Sequence, residues 1–450
     1  MGGDGLSVLI GLEVHAYLAT ASKLFCRCPA AFLSAVRANE NVCEVCTAQP
    51  GAKPMAPNQA AVRAALTAAR LLRCEEAPAL RFLRKHYFYP DLPANYQRTS
   101  LPLGERGELS GVAVREIHLE EDPGTYELRR GEVDWNRSGA PLVEIVTEPV
   151  LGSPAAARAW IEELRLVMQY AGLLGAGGLK ADANVSVEGG ERVEVKNVNS
   201  AHNVQLALAH EIERQSGILA SGGRIDRETR HFDEARAVTV LLRAKETAED
   251  YRFVPDPDLP PVELAPQWQA LPALEHPHEI RARWTRDLGV TAEAANVLLA
   301  ERPLARAHEE LARAVDPKLA FDFLVRDVKG ELNYRSLEFA GSRLTVEGLA
   351  ALLRALSEGS LTRQAARESL RRWLDGAALE DALGERLGVV GTDEVTRVVE
   401  EVLATEADAV AKLRAGKSGT LNFLVGEAMR RLAGRAKPDA VRAEIERRLR

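Results

Sequence analysis

The sequence predicts an α+β fold, in which an N-terminal open antiparallel sheet domain is followed by all-helical domains. Three observations support this prediction. Short segments early in the chain alternate apolar and polar residues, as half-buried strands do. Residues 181–197 repeat that alternation in two halves around Glu188-Gly189-Gly190, which is typical of a hairpin. Beyond about residue 262 the strand signals disappear, and helical segments rich in Ala, Leu, Arg and Glu continue to residue 450.

Length and composition are those of a globular protein with more than one domain. The chain has 450 residues, 46% hydrophobic and 27% charged, with no apolar run approaching the roughly 20 residues of a membrane span. Its first residues match neither a signal nor a transit peptide, so we expect a cytoplasmic protein. We place boundaries near residues 290 and 360, which gives domains 1–290, 291–360 and 361–450.

The net charge of −7 argues against a simple nucleic-acid coat, but the charge is unevenly distributed. Residues 412–450 contain 11 Lys and Arg against 4 Asp and Glu, a local charge of +7. A basic patch of this kind can bind phosphates, although an ordinary solvated helix face has a similar composition.

The first predicted strand ends with a carboxylate and an imidazole on one face. Residues 8–10 form an apolar run, and Gly11-Leu12-Glu13-Val14-His15 follows it. Because side chains alternate across a strand, Glu13 and His15 share a face. Two later strands carry similar groups on one side: Glu116, His118 and Glu120 in one, and Glu144 in the other. Together these strands predict a sheet that lines an acidic basin.

The donor types in this basin favour a hard metal ion. Mostly oxygen ligands suit magnesium, which keeps waters and bridges to substrate phosphates. Glu120 and Glu121 face opposite sides of a regular strand, so both can reach the ion only across a bulge or at the strand end. The candidate ligands are Glu13, His15, Glu120, Glu121 and Glu144, and the cations expected at the rim are Lys85, Arg137, Lys196 and Arg252. Acids rimmed by cations are what phosphoryl transfer requires.

Four of the five cysteines lie close together, in the pattern C-x-C, fourteen residues, C-x-x-C. They are Cys26, Cys28, Cys43 and Cys46, and we call residues 26–46 the cysteine loop. In a cytoplasmic protein such cysteines are seldom disulfides, and four thiolates suit a structural zinc ion that closes an irregular loop. Four free thiols or a redox pair are the alternatives.

Several helices of the sheet domain have recognisable ends. Residues 57–73 are expected to form a helix with Pro57 in its first turn. A second helix is expected to start with Ser153 as N-cap and Pro154 as its first residue, and to end at Gly172. Ser200 is expected to cap a third. Further strands are expected at residues 80–89, 108–119, 126–128, 133–135, 224–231 and 238–242.

The hairpin has a definite register. A three-residue loop with a left-handed glycine keeps one face apolar, pairing Asn184 with Glu194 and Asp182 with Lys196. The opposite, polar face either meets water or belongs to the site. It continues into a polar corner that contains Asn199.

The usual nucleotide-binding motifs are absent from the sequence. Neither G-x-x-x-x-G-K-[ST] nor G-x-G-x-x-G occurs, and no convincing Cys/His nucleophile pair is found. If the protein uses ATP, it does so on an open sheet. His15, His86 and His118 each also have the simpler interpretation of a hydrogen-bonded, half-buried side chain.

Eight segments, in order along nearly the whole chain, resemble the B subunits of tRNA-dependent amidotransferases of the GatCAB type. They are IGLEVH at 10–15, RKHYFYPDLP at 84–93, IHLEED at 117–122, DWNRSG at 134–139, PLVEIV at 141–146, KNVNS at 196–200, DYRFVPDPD at 250–258 and LNFLVG at 421–426. Departures from the family pattern include His86 where Asn is usual, Phe253-Val254 where Tyr-Phe is usual, and GAGGLKAD at 175–182 where EEGSLRCD is usual.

The resemblance implies a sheet related to the glutamine synthetase and guanido kinase type, and a Mg²⁺ site formed by the five candidate ligands above. It also implies catalytic roles for Lys85, Arg137 and Glu121, and zinc at the four cysteines. The implied nucleotide and substrate pocket is lined by Lys85, Tyr87, Tyr89, Asn136, Arg137 and Lys196. To these the hairpin adds Asp182, Asn184 and Glu194, the polar corner after it adds Asn199, and the extended, proline-rich segment 250–261 adds Arg252. The implied tRNA-binding cations are Lys412, Arg414, Lys417, Arg430, Arg431 and Arg435.

The activity implied by the resemblance is ATP-dependent amidation of mischarged Glu-tRNA(Gln), Asp-tRNA(Asn) or both. The side-chain carboxylate is first phosphorylated, because oxide is a poor leaving group, and ammonia from a glutaminase A subunit then attacks. A small C subunit braces the two, and a non-discriminating aminoacyl-tRNA synthetase is a further possible partner. The alternatives are a free-standing ATP-dependent carboxylate–amine ligase and a non-catalytic tRNA-binding scaffold.

Overall fold

The computed structural model describes residues 6–127, 129–244, 252–384, 390–414 and 419–449. The chain divides into two compact units, Met1–Ile280 and Arg281–Arg450. The first contains all the strands of the described residues, and the second is helical, so the α+β class and the helical C-terminal region are confirmed. Within the described residues, every helix is either too short or too polar to span a bilayer.

The strands are β1 (Val8–Leu18), β2 (Glu75–Glu76), β3 (Ala79–Leu80), β4 (Phe82–His86), β5 (Tyr96–Ser100), β6 (Gly104–Leu109), β7 (Val112–Glu121), β8 (Thr125–Glu127), β9 (Glu132–Asp134), β10 (Pro141–Thr147), β11 (Leu174–Val187), β12 (Val193–Val198), β13 (Glu228–Asp233), β14 (Val238–Ala244), β15 (Arg252–Pro255) and β16 (Val262–Glu263). The helices are α1 (Gln59–Leu71), α2 (Pro154–Tyr170), α3 (Ala201–Ala220), α4 (Ala265–Gln269), α5 (Pro277–Leu288), α6 (Ala292–Leu299), α7 (Arg302–Leu311), α8 (Pro317–Phe323), α9 (Lys329–Tyr334), α10 (Val346–Ser357), α11 (Arg363–Leu374), α12 (Leu379–Gly384), α13 (Thr392–Thr405), α14 (Ala407–Arg414), α15 (Gly419–Arg431) and α16 (Pro438–Leu449).

One large sheet organises the first unit. Its strand order is β14-β13-β12-β11-β1-β10-β7-β5-β4-β15, with β6 and β2 attached to β7. All of its neighbouring strands pair antiparallel except β12 and β13, which run parallel, so the sheet is mixed and the expectation of a purely antiparallel sheet was wrong. A parallel pair needs a long crossover, and helix α3 supplies it between β12 and β13.

The two faces of this sheet differ because residues alternate along β1. Leu12 and Val14 are buried in the main core, which also contains residues of α1, α2 and α3. Glu13 and His15 point to the other face, away from that core. The sheet therefore has one face covered by helices and one face free to form a site.

Most of the expected helix ends are confirmed. Ser153 accepts a hydrogen bond from the Ala156 amide at the start of α2, with Pro154 as first residue, and Gly172 follows its end with φ of +69°. Ser200 caps α3. The start of α1 was placed too early: Asn58 is its N-cap and accepts from the amides of Ala60 and Ala61, so Pro57 lies outside the helix.

The hairpin register is confirmed at its centre. Asn184 pairs with Glu194 across β11 and β12, and Gly189 in the connection has φ of +88°. The pairing shifts between Ala183 and Ala181, a local irregularity that sequence alternation does not reveal.

A buried ion network ties the strands near the β15 edge together. Asp256, just after β15, accepts from Arg84 Nε at 3.0 Å and from Arg98 Nε at 2.9 Å, and its side chain is 0% exposed. Arg98 also donates to the Glu121 carboxylate at 3.2 Å. Ion pairs thus hold together strands β4, β5, β7 and β15. Pairing of these buried charges offsets the free-energy cost of removing each of them from water.

The second unit contains an all-helical cluster at its C-terminal end. Apolar residues of α13, α14, α15 and α16, among them Val399, Leu424 and Ile445, form a core of their own. Earlier in this unit, a π-helical turn at Leu324–Val328 joins α8 to α9 and carries buried Asp327, which pairs with Arg363 at 2.8 Å and also with Arg367.

We predict that Asp256→Asn lowers the free energy of unfolding by about 3 kcal/mol, because it leaves two guanidinium groups without their shared carboxylate. The matched control is Asp258→Asn, which removes a partly exposed partner of Arg84 and should cost less than about 1 kcal/mol. Urea denaturation of the two variants measures both values. Equal effects would show that the buried network does not stabilise this edge.

Candidate functional site

Strands β1, β7 and β10 bring four of the candidate metal ligands together. His15 lies opposite Glu144 in the sheet, and its Nε2 is 3.3 Å from Glu120 Oε1, 3.9 Å from Glu13 Oε1 and 4.0 Å from Glu144 Oε1. One ligand atom each from Glu13, His15 and Glu144 lies within 4.8 Å of the others. The alternation that put Glu13 and His15 on one face therefore places them beside an acid of the neighbouring strand β10 and an acid of β7, the next strand beyond it.

The electrostatics of this cluster suit a cation. Burial raises the pKa of the Glu13 carboxyl, and the like charge of Glu144 raises it further. Burial opposes a charge on His15, but its hydrogen bond to Glu120 and the nearby carboxylates outweigh this and raise its pKa to about 10. A divalent ion would relieve the repulsion between carboxylates. The residues present therefore fit a hard metal ion.

Glu13, His15 and Glu120 lie on the floor of an open cleft of about 1180 Å³, and Glu144, which contacts His15, lies beside this lining. Leu242 of β14 and Arg252 of β15 line the same cleft, although these strands are the two edges of the sheet, so the sheet curls around it. The sequence candidates at its surface are Glu13, His15, Lys85, Tyr87, Tyr89, Glu120, Arg137, Asp182, Lys196, Asn199 and Arg252. An acidic floor surrounded by cations and aromatic rings is suited to a phosphate-bearing ligand.

Several polar residues of the cleft were not among the sequence candidates, and three of these, Tyr17, Asp122 and Lys180, form a connected group. Tyr17 donates a hydrogen bond to Asp122 Oδ2 at 2.7 Å, Arg137 Nε lies 2.8 Å from the same oxygen, and Lys180 Nζ donates to the Tyr17 hydroxyl at 3.3 Å. Tyr17 continues the alternation of Glu13 and His15 along β1, and Lys180 lies two residues before Asp182 on β11. Extending each alternation by two residues would have found Tyr17 and Lys180.

Glu121 does not join the metal cluster. Strand β7 is regular here, with Glu120 opposite Leu142 and Glu121 opposite Pro141, so the two side chains face opposite ways. The Glu121 carboxylate instead accepts from the Arg98 backbone amide and side chain, each at 3.2 Å. No bulge brings both acids inward at this point in the described strand, and we leave Glu121 out of the proposed ligand set.

Besides Glu144, which contacts His15, three further candidates lie outside the cleft lining. Asn136 is 3% exposed and hydrogen-bonds the backbone of the cysteine loop at Asn41 and Arg37. Asn184 and Glu194 lie further along the hairpin, where Glu194 Oε1 is 2.9 Å from Lys196 Nζ. Glu194 thus contacts a cleft residue without lining the cleft itself.

The four cysteines of the cysteine loop converge. Their sulfur atoms all lie within 4.8 Å of one another, and Cys43 Sγ is 3.9 Å from Cys46 Sγ. Four ligands at about 2.3 Å around a tetrahedral zinc ion are separated by about 3.8 Å. Hydrogen bonding from Cys26 and the nearby Lys23 ammonium lower the pKa of Cys46 to about 5. The cluster can therefore hold a metal ion such as zinc.

The candidate tRNA-binding cations of residues 412–450, which we call the tail, differ in their surroundings. Arg431 and Arg430 pair with Glu427, at 3.1 Å for Arg431, and Arg435 pairs with Glu394 at 3.1 Å. Lys412 and Arg414 lie in the last turn of α14, where both are exposed. Lys417 lies outside the described residues.

We predict that the purified chain contains about one zinc ion, measured by inductively coupled plasma mass spectrometry, and that Cys28→Ser or Cys43→Ser removes it. Cys74 is buried apart from the cluster, so Cys74→Ala serves as the matched control and should keep the metal. Zinc retained in both serine variants would contradict a four-cysteine site.

Comparison with known proteins identifies both units of the chain. Residues 8–270 match the model of the GatB/GatE catalytic domain, and residues 306–449 match that of the GatB domain. Among similar proteins, the B subunit of the aspartyl/glutamyl-tRNA(Asn/Gln) amidotransferase of Methanobrevibacter smithii is 44% identical over 441 residues, 96% of this chain and 97% of that protein. Its counterpart in Methanopyrus kandleri is 43% identical, with 98% of each chain covered.

The matches extend over nearly the full length of the chain and of these relatives, and the cleft described above lies within the first matched domain. The resemblance seen in the sequence is therefore confirmed. The chain belongs to the family of the aspartyl/glutamyl-tRNA(Asn/Gln) amidotransferase B subunits.

Proposed function

We propose that this chain phosphorylates the side-chain carboxylate of glutamate or aspartate attached to tRNA and then amidates it. The observation that carries the proposal is the cluster of Glu13, His15, Glu120 and Glu144, three of which lie on the floor of the cleft with Glu144 beside them. Lys85, Arg137 and Lys196 line the same cleft. The names of the relatives support the aminoacyl-tRNA substrate.

The acidic cluster would hold magnesium, which when bound neutralises charge on the transferring phosphoryl group. Glu13 and Glu144 supply carboxylate oxygens, and Glu120, 3% exposed, holds His15 in place through a contact of 3.3 Å. Lys85 and Arg137 bind and orient the phosphates of ATP, and Arg137 is itself aligned by Asp122 at 2.8 Å.

The second half-reaction needs ammonia, which is mostly ammonium at neutral pH. We propose that a glutaminase A subunit delivers it directly, with a C subunit bracing the pair, since the described residues contain no evident glutaminase site. Attack by ammonia on the acyl phosphate releases phosphate and leaves the amide on the tRNA. A cytoplasmic location, the glutamine synthetase type of sheet and the use of ATP and Mg²⁺ belong to this same proposal.

We predict that Glu13→Gln and Glu144→Gln each lower the rate of tRNA-dependent phosphate release from labelled ATP at least about 100-fold, because each loses a charged metal ligand. The assay uses the protein copurified with its A and C partners, with Glu-tRNA(Gln) or Asp-tRNA(Asn), magnesium and ammonium. Glu105, exposed on β6, provides the control variant Glu105→Gln, which should retain full activity.

Unchanged turnover in the first two variants would mean that the acidic cluster is not the active site. Product formed without tRNA would favour a free-standing ligase instead. Comparison of the two charged tRNAs in the same assay identifies the substrate.

The tail provides a separate prediction. Replacing Lys412 and Arg414 by alanine should raise the KM for tRNA and leave kcat unchanged, because phosphate contacts add affinity away from the reacting group. The salt dependence of binding should fall by about one unit per lost contact. Arg397→Ala is the matched control, since Glu401 already pairs with Arg397 at 2.8 Å on α13. A KM that is equally unchanged in all these variants would place the tRNA elsewhere.

A further inference from the structure

We propose that the cysteine loop sets the position of Arg137 in the cleft, and that buried Lys23 couples the two. Arg137 is assigned a role in catalysis only by the proposed function, and to that extent the inference rests on it. The link between the cysteine loop and the position of Arg137 depends only on the hydrogen bonds described below, whatever reaction the site catalyses.

The segment 134–139 has two different sides. On one side, the Arg137 side chain reaches the cleft, where its Nε lies 2.8 Å from Asp122 Oδ2 and 3.1 Å from the Pro123 carbonyl oxygen that accepts its hydrogen bond. On the other side, the segment rests on the cysteine loop. At its start, Asn39 donates its amide to Asp134 Oδ1 at 2.9 Å and accepts from the Trp135 amide at 2.7 Å.

The two neighbours of Arg137 are bonded to the same loop. Asn136 accepts from the Asn41 amide at 2.8 Å and donates to the Arg37 carbonyl at 2.7 Å. Ser138 donates its hydroxyl to the Cys46 carbonyl at 2.9 Å. With the residue before it and the residue after it both fixed, the backbone of Arg137 has little freedom to move.

Lys23 joins these contacts to the cysteine sulfurs. It is 1% exposed, and its Nζ donates to the Asn41 carbonyl at 2.8 Å and the Trp135 carbonyl at 3.3 Å while lying 3.4 Å from Cys46 Sγ. A buried ammonium needs partners of this kind. Four thiolates around a divalent ion carry a net negative charge, so this ammonium also stabilises the metal-bound state.

The loop itself has little regular structure to keep its backbone donors in place. Within residues 26–46 the structure shows a single short 3₁₀ turn, Phe32–Ser34. The metal cross-link would therefore determine where the amide of Asn41 and the carbonyls of Arg37 and Cys46 lie. If the cross-link is lost, the support beneath segment 134–139 is lost with it.

The first test is independent of activity. Hydrogen exchange, followed by mass spectrometry on the complex with its partner subunits, should speed up at least about 10-fold in residues 133–140 when zinc is removed by a chelator. Lys23→Met should release zinc to a chromogenic chelator at least about 10-fold faster than wild type. Lys53, whose side chain is 80% exposed, provides the control Lys53→Met, which should behave as wild type.

The second test asks whether loop and Arg137 act as one unit. Lys23→Met and Arg137→Lys should each lower kcat, and the double variant should be no slower than Arg137→Lys alone. Fully additive losses, or exchange in residues 133–140 that zinc removal does not alter, would overturn the proposal. If Lys23→Met fails to fold, Ser138→Ala replaces it in both tests.

Failure here and failure of the proposed function are distinguishable. Hydrogen exchange and zinc release report on the link whatever the reaction is, whereas the glutamate variants of the acidic cluster report on the reaction without reference to zinc.

Discussion

The alternation of side chains along β1 divides the sheet into a dry face and a charged face. Leu12 and Val14 are 1% and 0% exposed in a core shared with helices of the first unit, and Glu13 and His15 necessarily point the other way. A slip of one residue would bury a carboxylate and an imidazole in that core, which costs several kcal/mol (on the order of 2–7 for even a neutral polar group). The apolar face therefore fixes the register of β1, and that register determines where the side chains of the site lie.

The charged face holds groups that are unfavourable together. Burial and like charge raise the pKa of Glu13, and His15 is held among three carboxylates. Such an arrangement persists only where other contacts of the fold offset its cost, and the Asp256 network, which ties the strands near the β15 edge together, is one source of that support. Unfavourable electrostatics of this kind, in which buried like charges shift pKa values, are typical of sites that bind a cation or a charged substrate.

Irregular segments complete the site, and these are supported differently from the strands. Segment 134–139 lies between β9 and β10 and takes its position from hydrogen bonds to the cysteine loop. The segment after β15 takes its position from ion pairs with Arg84 and Arg98. In both cases polar contacts between residues far apart in the sequence fix the position of the backbone, as hydrogen bonds between neighbouring strands do in a sheet.

Sequence by itself determined the features that depend on near neighbours. The shared face of Glu13 and His15, the Asn184–Glu194 pairing and the caps at Ser153 and Ser200 follow from periods of two and from local hydrogen bonds. The spacing of the four cysteines belongs here too, since a short irregular loop returns them to one place.

Only the tertiary structure decided what depends on distant parts of the chain. It turned Glu121 toward Arg98, made Asn136 a support for the cysteine loop, set β12 and β13 parallel, and brought Tyr17, Asp122 and Lys180 into contact. Each of these contacts joins residues that lie tens of residues or more apart in the sequence. Local alternation predicts which face of a strand a side chain is on, but it does not predict which distant residue that side chain contacts.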